Sequence, residues 1–134
     1  MINLEPPLYT ALATALRSTY SGIFVTGEHI PIPAQFPAVS IVEMDNVTFR
    51  PGRTNAQPEP FAEVMYEVNV YSNRKNGSKA EARTIISNID SMMLGYGFER
   101  IMLQPIPNLD DSTIYRMIGR YRAVVSDNLT IYRR

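Results

Sequence analysis

The sequence predicts an α+β fold in which two helices pack on one face of a mainly antiparallel sheet. Two segments, residues 8–19 and 82–96, repeat apolar side chains at the i, i+3, i+4 spacing of an amphipathic helix. Other segments alternate apolar and polar residues, the period of strands that cover a core on one side. The order helix, strands, helix, strands favours helices segregated to one face of the sheet. At 134 residues the chain can form one domain, residues 1–134, whose core needs no disulfide or metal.

The first helix is predicted to begin at Pro6 and Pro7, because proline suits the first helical turn, where its missing amide hydrogen costs nothing. Its apolar stripe stops at Gly22, which ends the helical pattern. Three elements are predicted to follow: a short strand at residues 23–26, an extended, proline-spaced connection over residues 30–37, and a central strand at residues 38–44.

Residues 49–60 contain three prolines, one glycine and few apolar side chains. This composition cannot pack a core, so a long mobile loop is predicted. Long loops in small domains usually contact a partner, and Arg50 and Arg53 are the candidate contact residues within this one. The alternative is a disordered hairpin tip.

The next strand, residues 61–71, alternates apolar side chains with polar ones that include Glu63 and Glu67. The alternation predicts an antiparallel strand that is half-buried. Ser78 and Glu81 have the spacing of a capping box and so predict a sharp start for the second helix. That helix runs for four turns to a pair of glycines, which end it.

The most informative segment is the strand predicted at residues 113–125. Successive strand side chains face opposite sides, so Arg116, Arg120 and Arg122 share one face while most of the apolar residues face the core. The other elements predicted in this half are a strand at residues 98–103, a turn-rich segment at residues 105–111 and a final strand at residues 129–132.

The three arginines allow three interpretations. If the strands at 61–71 and 113–125 pair, Glu63 and Glu67 lie beside the arginines and form cross-strand ion pairs. Exposed pairs of this kind contribute only about 0–1 kcal/mol each, so an interface with other protein, where arginine is enriched, is favoured over a solvated face. A nucleic-acid track is disfavoured, because the tyrosines of the strand lie on the opposite face and cannot stack bases beside the arginines.

Composition and motifs argue against catalysis. Thirteen basic and thirteen acidic residues cancel, so no general attraction to nucleic acid or to an anionic membrane is expected. The absence of cysteine removes thiol chemistry, and His29 has no second histidine with which to bind a metal. Asp110 and Asp111 have the character of a turn. The sequence therefore predicts no catalytic residue, no metal site, no cofactor and no enzyme activity.

The apolar runs are short and predict no membrane contact. A span needs about 20 apolar residues, and the longest runs in this chain reach only a few. The first residues also lack the basic and then apolar regions of a secretory signal. A protein that stays where it is made is expected.

Motifs of strand, capped helix and strand fill the last half of the chain: YSNRKNGSKAEA at residues 71–82, GYGF at 95–98, PNLD at 107–110, IYR at 114–116 and RY at 120–121. Together they resemble the tail-terminator and tail-completion proteins of long-tailed bacteriophages. The first half adds a compatible length and order of elements.

The resemblance implies a subunit that forms a hexameric ring on the tail tube, halts tube growth and offers a docking face to the head. Its partners would be further copies of itself, the tail tube protein and a head connector or stopper protein, and it would be found in the tail or neck of the virion after synthesis in the bacterial cytoplasm. A small-molecule-binding or regulatory oligomeric α+β domain, with a pocket between subunits, is the alternative. The candidate interface residues are Arg50, Arg53, Glu63, Glu67, Arg116, Arg120 and Arg122.

Overall fold

The computed structural model describes residues 1–49, 59–108 and 111–132. The described residues confirm the predicted α+β class, with two helices and a mostly antiparallel sheet. The elements are α1 (Glu5–Thr19), β1 (Phe24–Thr26), β2 (Ala38–Thr48), β3 (Phe61–Ser72), α2 (Ser78–Tyr96), β4 (Glu99–Pro107), β5 (Tyr115–Ser126) and β6 (Ile131–Tyr132).

The sheet has the strand order β1-β2-β3-β5-β4, and β6 pairs with β5 beside β4. Within the described residues, β1 and β2 run parallel and every other pair is antiparallel. The strand predicted as central, β2, lies one place from the edge, and the middle of the sheet is β3. The pairing of β3 with β5, on which the ion-pair prediction depended, extends over the whole length of both strands.

Both helices pack on the same face of the sheet and share one apolar core with it. Leu12 on α1, Ile85 on α2 and Val68 on β3 belong to this core and are fully buried or nearly so. Burial of such side chains is the main stabilising contribution, at about 1.5–3 kcal/mol for each large one. The uncovered face of the sheet is therefore the side opposite both helices.

The start of α2 differs from the predicted capping box. Ser78 is already the first helical residue, and the N-cap is Gly77, whose φ of 90° is left-handed and which makes no side-chain cap. Glu81 instead accepts a hydrogen bond of 2.6 Å from the Ser72 hydroxyl and lies 3.8 Å from the Arg74 guanidinium. The carboxylate thus joins the helix to the end of β3 instead of closing its own first turn.

The turn predicted at residues 105–111 is wrong for its first three residues. Pro105 and Pro107 lie inside β4, which continues past the predicted end at Leu103. Proline is tolerated in a strand only where its nitrogen faces away from the ladder, as at the edge of a sheet. Because β4 is an edge strand, both prolines can be accommodated.

Most of the loop predicted at residues 49–60 lies outside the described residues, and with it the candidate contact residues Arg50 and Arg53. The described ends of this segment are close together, since the Phe49 amide donates to the Phe61 carbonyl at 2.9 Å. Asp110 also falls outside the described residues. In the described part of the chain, neither helix is long and apolar enough to cross a bilayer.

Candidate functional site

The candidate site is the sheet face opposite the helices, which we call the open face. The register of β3 and β5 places Glu67 opposite Arg120 and Tyr71 opposite Arg116 on this face. The alternate residues of both strands, such as Tyr66 and Tyr121, are opposite each other on the helix-covered face. On β3 and β5 the open face consists of Glu63, Met65, Glu67, Asn69, Tyr71, Arg116, Ile118, Arg120, Arg122 and Val124.

Two of the predicted arginines form ion pairs across the strands. Arg120 donates from Nε to Glu67 Oε2 at 3.0 Å. Arg122 lies between two acids, with its Nε 3.7 Å from Glu63 Oε1 and its Nη2 3.3 Å from Glu99 Oε2. These contacts join β3, β5 and β4 in one ladder of alternating charge, so the predicted cross-strand pairing is present.

The third arginine has a different environment. Arg116 donates from Nε to Asn69 Oδ1 at 2.8 Å, and its guanidinium lies 5.5 Å from the centroid of the Tyr71 ring. Among the described residues it forms no ion pair with a carboxylate. Asn69 in turn donates to Glu67 Oε1 at 3.0 Å. A continuous polar network therefore runs from Arg116 through Asn69 and Glu67 to Arg120.

The prediction that β3 is half-buried holds for residues 61–65, where burial alternates, and is wrong for residues 66–72, which are all buried. Polar residues of the open face are among them, although neither described helix packs on that face. Asn69 is 1% exposed and Glu67 is 8% exposed. Arg116 and Arg120 hydrogen-bond across to Asn69 and Glu67, so both arginine side chains reach over polar residues of β3, and such side chains can shield a surface with their methylene stems. Ile118, which shares a rung with Asn69, is also buried.

A second cover closes one end of the open face. The connection between β1 and β2, predicted only as extended chain, brings Ile30 and Phe36 against Tyr71 and Ile114. The Tyr71 hydroxyl donates to the Ile30 carbonyl at 2.9 Å, and burial raises the pKa of Tyr71. Ile30 and Phe36, the apolar residues within the proline-spaced segment, are the feature of the sequence from which this packing could have been predicted. The end with Arg120 and Arg122 remains open.

Polar contacts on the helix-covered face were not predicted. Asp90 on α2 accepts hydrogen bonds of 2.8 Å from both the Tyr121 hydroxyl and Arg100 Nη1. The Tyr66 hydroxyl donates to Glu43 at 2.9 Å. Burial, with these hydrogen bonds to carboxylates, raises the pKa of both tyrosines. The phenols are fully buried, so they hold elements together and do not face a substrate.

A cleft of about 550 Å³ lies where β4 ends and β5 begins, beside the closed end of the open face. Apolar residues form most of its wall, and Arg116 supplies a cation. Its lining residues are Pro105, Ile106, Pro107, Asn108, Ser112, Ile114, Tyr115 and Arg116.

The structure brings five of the seven predicted interface residues together on the open face: Glu63, Glu67, Arg116, Arg120 and Arg122. His29 is exposed, as expected of a surface histidine. Within the described ranges no cluster of three histidine or acidic side chains could hold a metal ion. No family model and no curated protein matches this chain.

Proposed function

We propose that the chain is a structural subunit of a bacteriophage tail. It caps the tail tube as a ring, most simply a hexamer, ends tube elongation and offers the surface on which the head joins. The tail tube protein and a head connector or stopper protein are its partners. The proposal rests on the resemblance of the last half of the chain to tail-completion proteins, together with one structural observation, the fixed ladder of charge on an uncovered sheet face.

A fixed ladder is well suited to binding another protein. Arg120 and Arg122 are already held by Glu67, Glu63 and Glu99, so little side-chain freedom remains to be lost when a partner binds. Alternating charges along the ladder favour one register of a complementary surface and oppose others. The pairs of Arg122 with Glu63 and Glu99 are partly exposed, and such pairs contribute little to stability, so binding is a stronger reason for this part of the ladder than folding.

Assembly with tail tubes tests the proposal directly. Purified protein is mixed with tubes of the tail tube protein encoded in the same genome, and the mixture is imaged by negative-stain microscopy. We expect a ring at one end of each tube and no further elongation when free tube protein is added. Tubes that continue to grow, with no density at either end, would contradict the proposed function.

A charge reversal on the ladder tests whether the open face takes part. Glu99 is half-exposed, and Arg122 keeps Glu63 when Glu99 is replaced, so Glu99→Arg is expected to fold and to cap tubes poorly. Glu28→Arg is the matched control, because it makes the same change in net charge at an exposed residue that is not part of the open face. Equal capping by both variants would remove the open face from the proposal.

The cleft beside Arg116 favours a second candidate function, binding of a small anionic molecule. An apolar wall with one cation is suited to an apolar carboxylate. Thermal-shift measurements with a panel of such acids, on the wild type and on Arg116→Gln, test this function. Stabilisation that is lost in Arg116→Gln would support it, and the absence of any shift would count against it.

A further inference from the structure

Positive charge is concentrated at one end of the helix layer, around the start of α2. Residues 73–83 contain four bases and a single acid, Glu81. Arg17, on the last turn of α1, is a fifth base, and all five bases are exposed. We call this surface the basic end, and its members are Arg17, Arg74, Lys75, Lys79 and Arg83.

A cleft of about 480 Å³ joins the two helices at the basic end. Its wall contains Tyr20 at the end of α1, Arg74 of the loop before α2, and Thr84 on α2. The Tyr20 hydroxyl donates to the Thr84 carbonyl at 3.5 Å. Arg17 precedes Tyr20 by one turn of α1, and Arg83 is adjacent to Thr84 in the chain. The cleft thus brings bases of α1, α2 and the loop into one neighbourhood.

The acids nearest the basic end do not balance its charge. Glu81 bonds to the end of β3 and lies 3.8 Å from Arg74. Asp90, the other acid of α2, is buried and pairs with Arg100. Asp111 precedes β5, whose first residue pairs with the end of β3, and accepts hydrogen bonds within its own turn. Counting Glu81 and Asp111 in full still leaves a surplus of positive charge.

The remaining described acids are distant from the basic end. Glu5 and Glu28 line a separate cleft at the start of α1, and Glu5 is about 18 Å from Arg17 along the helix. All others lie at or beyond the rung of Glu67, which is about 17 Å from Ser72 along β3. Because charges separated by more than about 10 Å are largely screened at 0.1 M salt, the neutral net charge of the chain does not cancel the local attraction.

The bases of this surface are placed where they do not favour folding. Among the described residues, Arg74 is the one member of the basic end with an ion pair. Lys79 is the second residue of α2, and Arg74 and Lys75 come just before the helix. The positive end of a helix dipole disfavours cations at these positions. Binding of an anion is therefore a better reason for the bases than folding.

The residue types of the basic end favour a phosphate backbone over an acidic protein. Residues 73–80 contain no large apolar side chain, whereas protein interfaces have an apolar centre and are depleted in lysine. Lysine, arginine, asparagine and serine side chains, with the amides of a helix N-terminus, are the groups that contact nucleic-acid phosphates. Tyr20 is half-buried and bonded to α2, so it offers no platform on which single-stranded bases could stack.

We propose that the basic end binds the phosphate backbone of double-stranded nucleic acid without reading its sequence. Contacts to phosphates position a duplex but carry no sequence information. This inference goes beyond the proposed function, because it concerns the helix side of the molecule and does not depend on the open face or on tube capping.

Fluorescence anisotropy with a labelled DNA duplex of about 20 base pairs and arbitrary sequence tests the inference. Four phosphate contacts predict a slope of about −3.6 for log affinity against log salt, which is a loss of about 100-fold between about 50 and 200 mM NaCl. In Lys75→Gln/Lys79→Gln the slope should be less steep by about 2, and binding at about 50 mM should be at least about tenfold weaker. The double variant should melt at or above the wild-type temperature, because the helix dipole disfavours Lys79.

The matched control is Asn3→Asp/Gln35→Glu, which lowers the net charge by the same amount at exposed residues outside the basic end. Its affinity for the duplex should stay within about twofold of wild type, since screening limits the reach of the added charges. Equal losses in the two double variants would overturn the inference, as would duplex binding that is absent at low salt or independent of salt. Tighter binding of polyglutamate or of single-stranded DNA than of the duplex would also overturn it.

Discussion

The two faces of the sheet are both well buried, but different groups cover them. On the helix-covered face, Ile41 packs under α1 and α2 in one continuous apolar core. On the open face, Ile118 is nearly as buried, although neither helix of the described chain packs on that side. The first face is thus packed against helices, whereas the described contacts on the second come from arginines that reach across to β3 and from the segment before β2.

The difference shows that low exposure has two physical meanings in this protein. A residue under a helix is enclosed by packed atoms that relax only partly when it is truncated. A residue under an arginine stem is covered by a flexible chain, whose guanidinium can move to a new partner or to water. Truncation of a residue on the open face should therefore leave a smaller cavity than truncation of a residue in the core.

Truncation of matched isoleucines should show this contrast most strongly. Ile41→Ala is expected to reduce the free energy of unfolding by about 2–5 kcal/mol, the usual cost of a cavity in a rigid core. Ile118→Ala should cost less, about 1–2 kcal/mol, because the covering side chains can collapse into the space. Urea denaturation of both variants measures the difference. Equal losses would mean that the open face is packed as rigidly as the core.

Alkaline pH should weaken the helix-covered face through its buried tyrosines. The pKa values of Tyr66 and Tyr121 are raised in the folded protein, whereas an unfolded tyrosine titrates near pH 10. The stability that these neutral phenols contribute is therefore complete below about pH 10 and is lost progressively as the pH rises above it.

Melting temperatures between about pH 8 and pH 11 check this expectation for the wild type and for Tyr66→Phe/Tyr121→Phe. The double variant should be less stable at pH 8, because Glu43 and Asp90 lose their phenol donors, but its stability should fall less steeply above pH 10. Tyr132→Phe is the control, since this ring is half-exposed. Parallel curves for wild type and double variant would contradict the role of the two phenols.

The ion pair of Arg120 with Glu67 on the open face should contribute less to the free energy of unfolding than the core isoleucine or the two buried phenols. In a double-mutant cycle with Arg120→Gln and Glu67→Gln, we expect a coupling energy of about 1 kcal/mol, near the upper end for partly exposed pairs. Much of it should persist in high salt, because Glu67 is largely buried and screening acts mainly on exposed charges. A coupling energy of zero at low salt would show that the pair is incidental to folding.

The sequence predicted the elements well where their period was strong. The apolar spacing over residues 82–96 placed the end of α2 correctly, and the alternation over residues 113–125 placed β5 to within two residues, because periodicity reports directly which side chains face a core. The face of β5 that carries the three arginines was also assigned correctly. Their separate bonding partners depend on the register of β3 and β5, which was only a hypothesis until the pairing was known.

Features that depend on distant parts of the chain were missed. The bond from Tyr71 to the Ile30 carbonyl and the triad of Asp90, Tyr121 and Arg100 join residues that no local pattern connects. The local pattern around Pro105 and Pro107 predicts a turn, because the edge position that permits prolines in β4 is a property of the whole sheet. These contacts and the position of the prolines are determined by residues far apart in the sequence, which a local sequence pattern does not report.

The smallest expected effect distinguishes the acids of the two faces. Glu63 and Glu67 on the open face have arginine partners, whereas Glu5, beside the helix-covered face, has none among the described residues. Burial and then the charge of Glu43 raise its pKa above 4.5, so the folded state disfavours the carboxylate form. Glu5→Gln should therefore raise the melting temperature slightly at pH 7.

The sign of this effect should depend on pH. A raised pKa in the folded state contributes stability below about pH 4.5 that is lost as the pH rises through the folded value. The advantage of Glu5→Gln should thus shrink below about pH 4.5 and disappear near pH 3, where the glutamate is protonated in both the folded and the unfolded state. Glu28→Gln is the control for the loss of one negative charge from an exposed residue. A Glu5→Gln variant that melts below wild type at pH 7 would show that the charged Glu5 makes a net favourable contact. The acids of both faces would then be stabilised by their surroundings, and this difference between the faces would disappear.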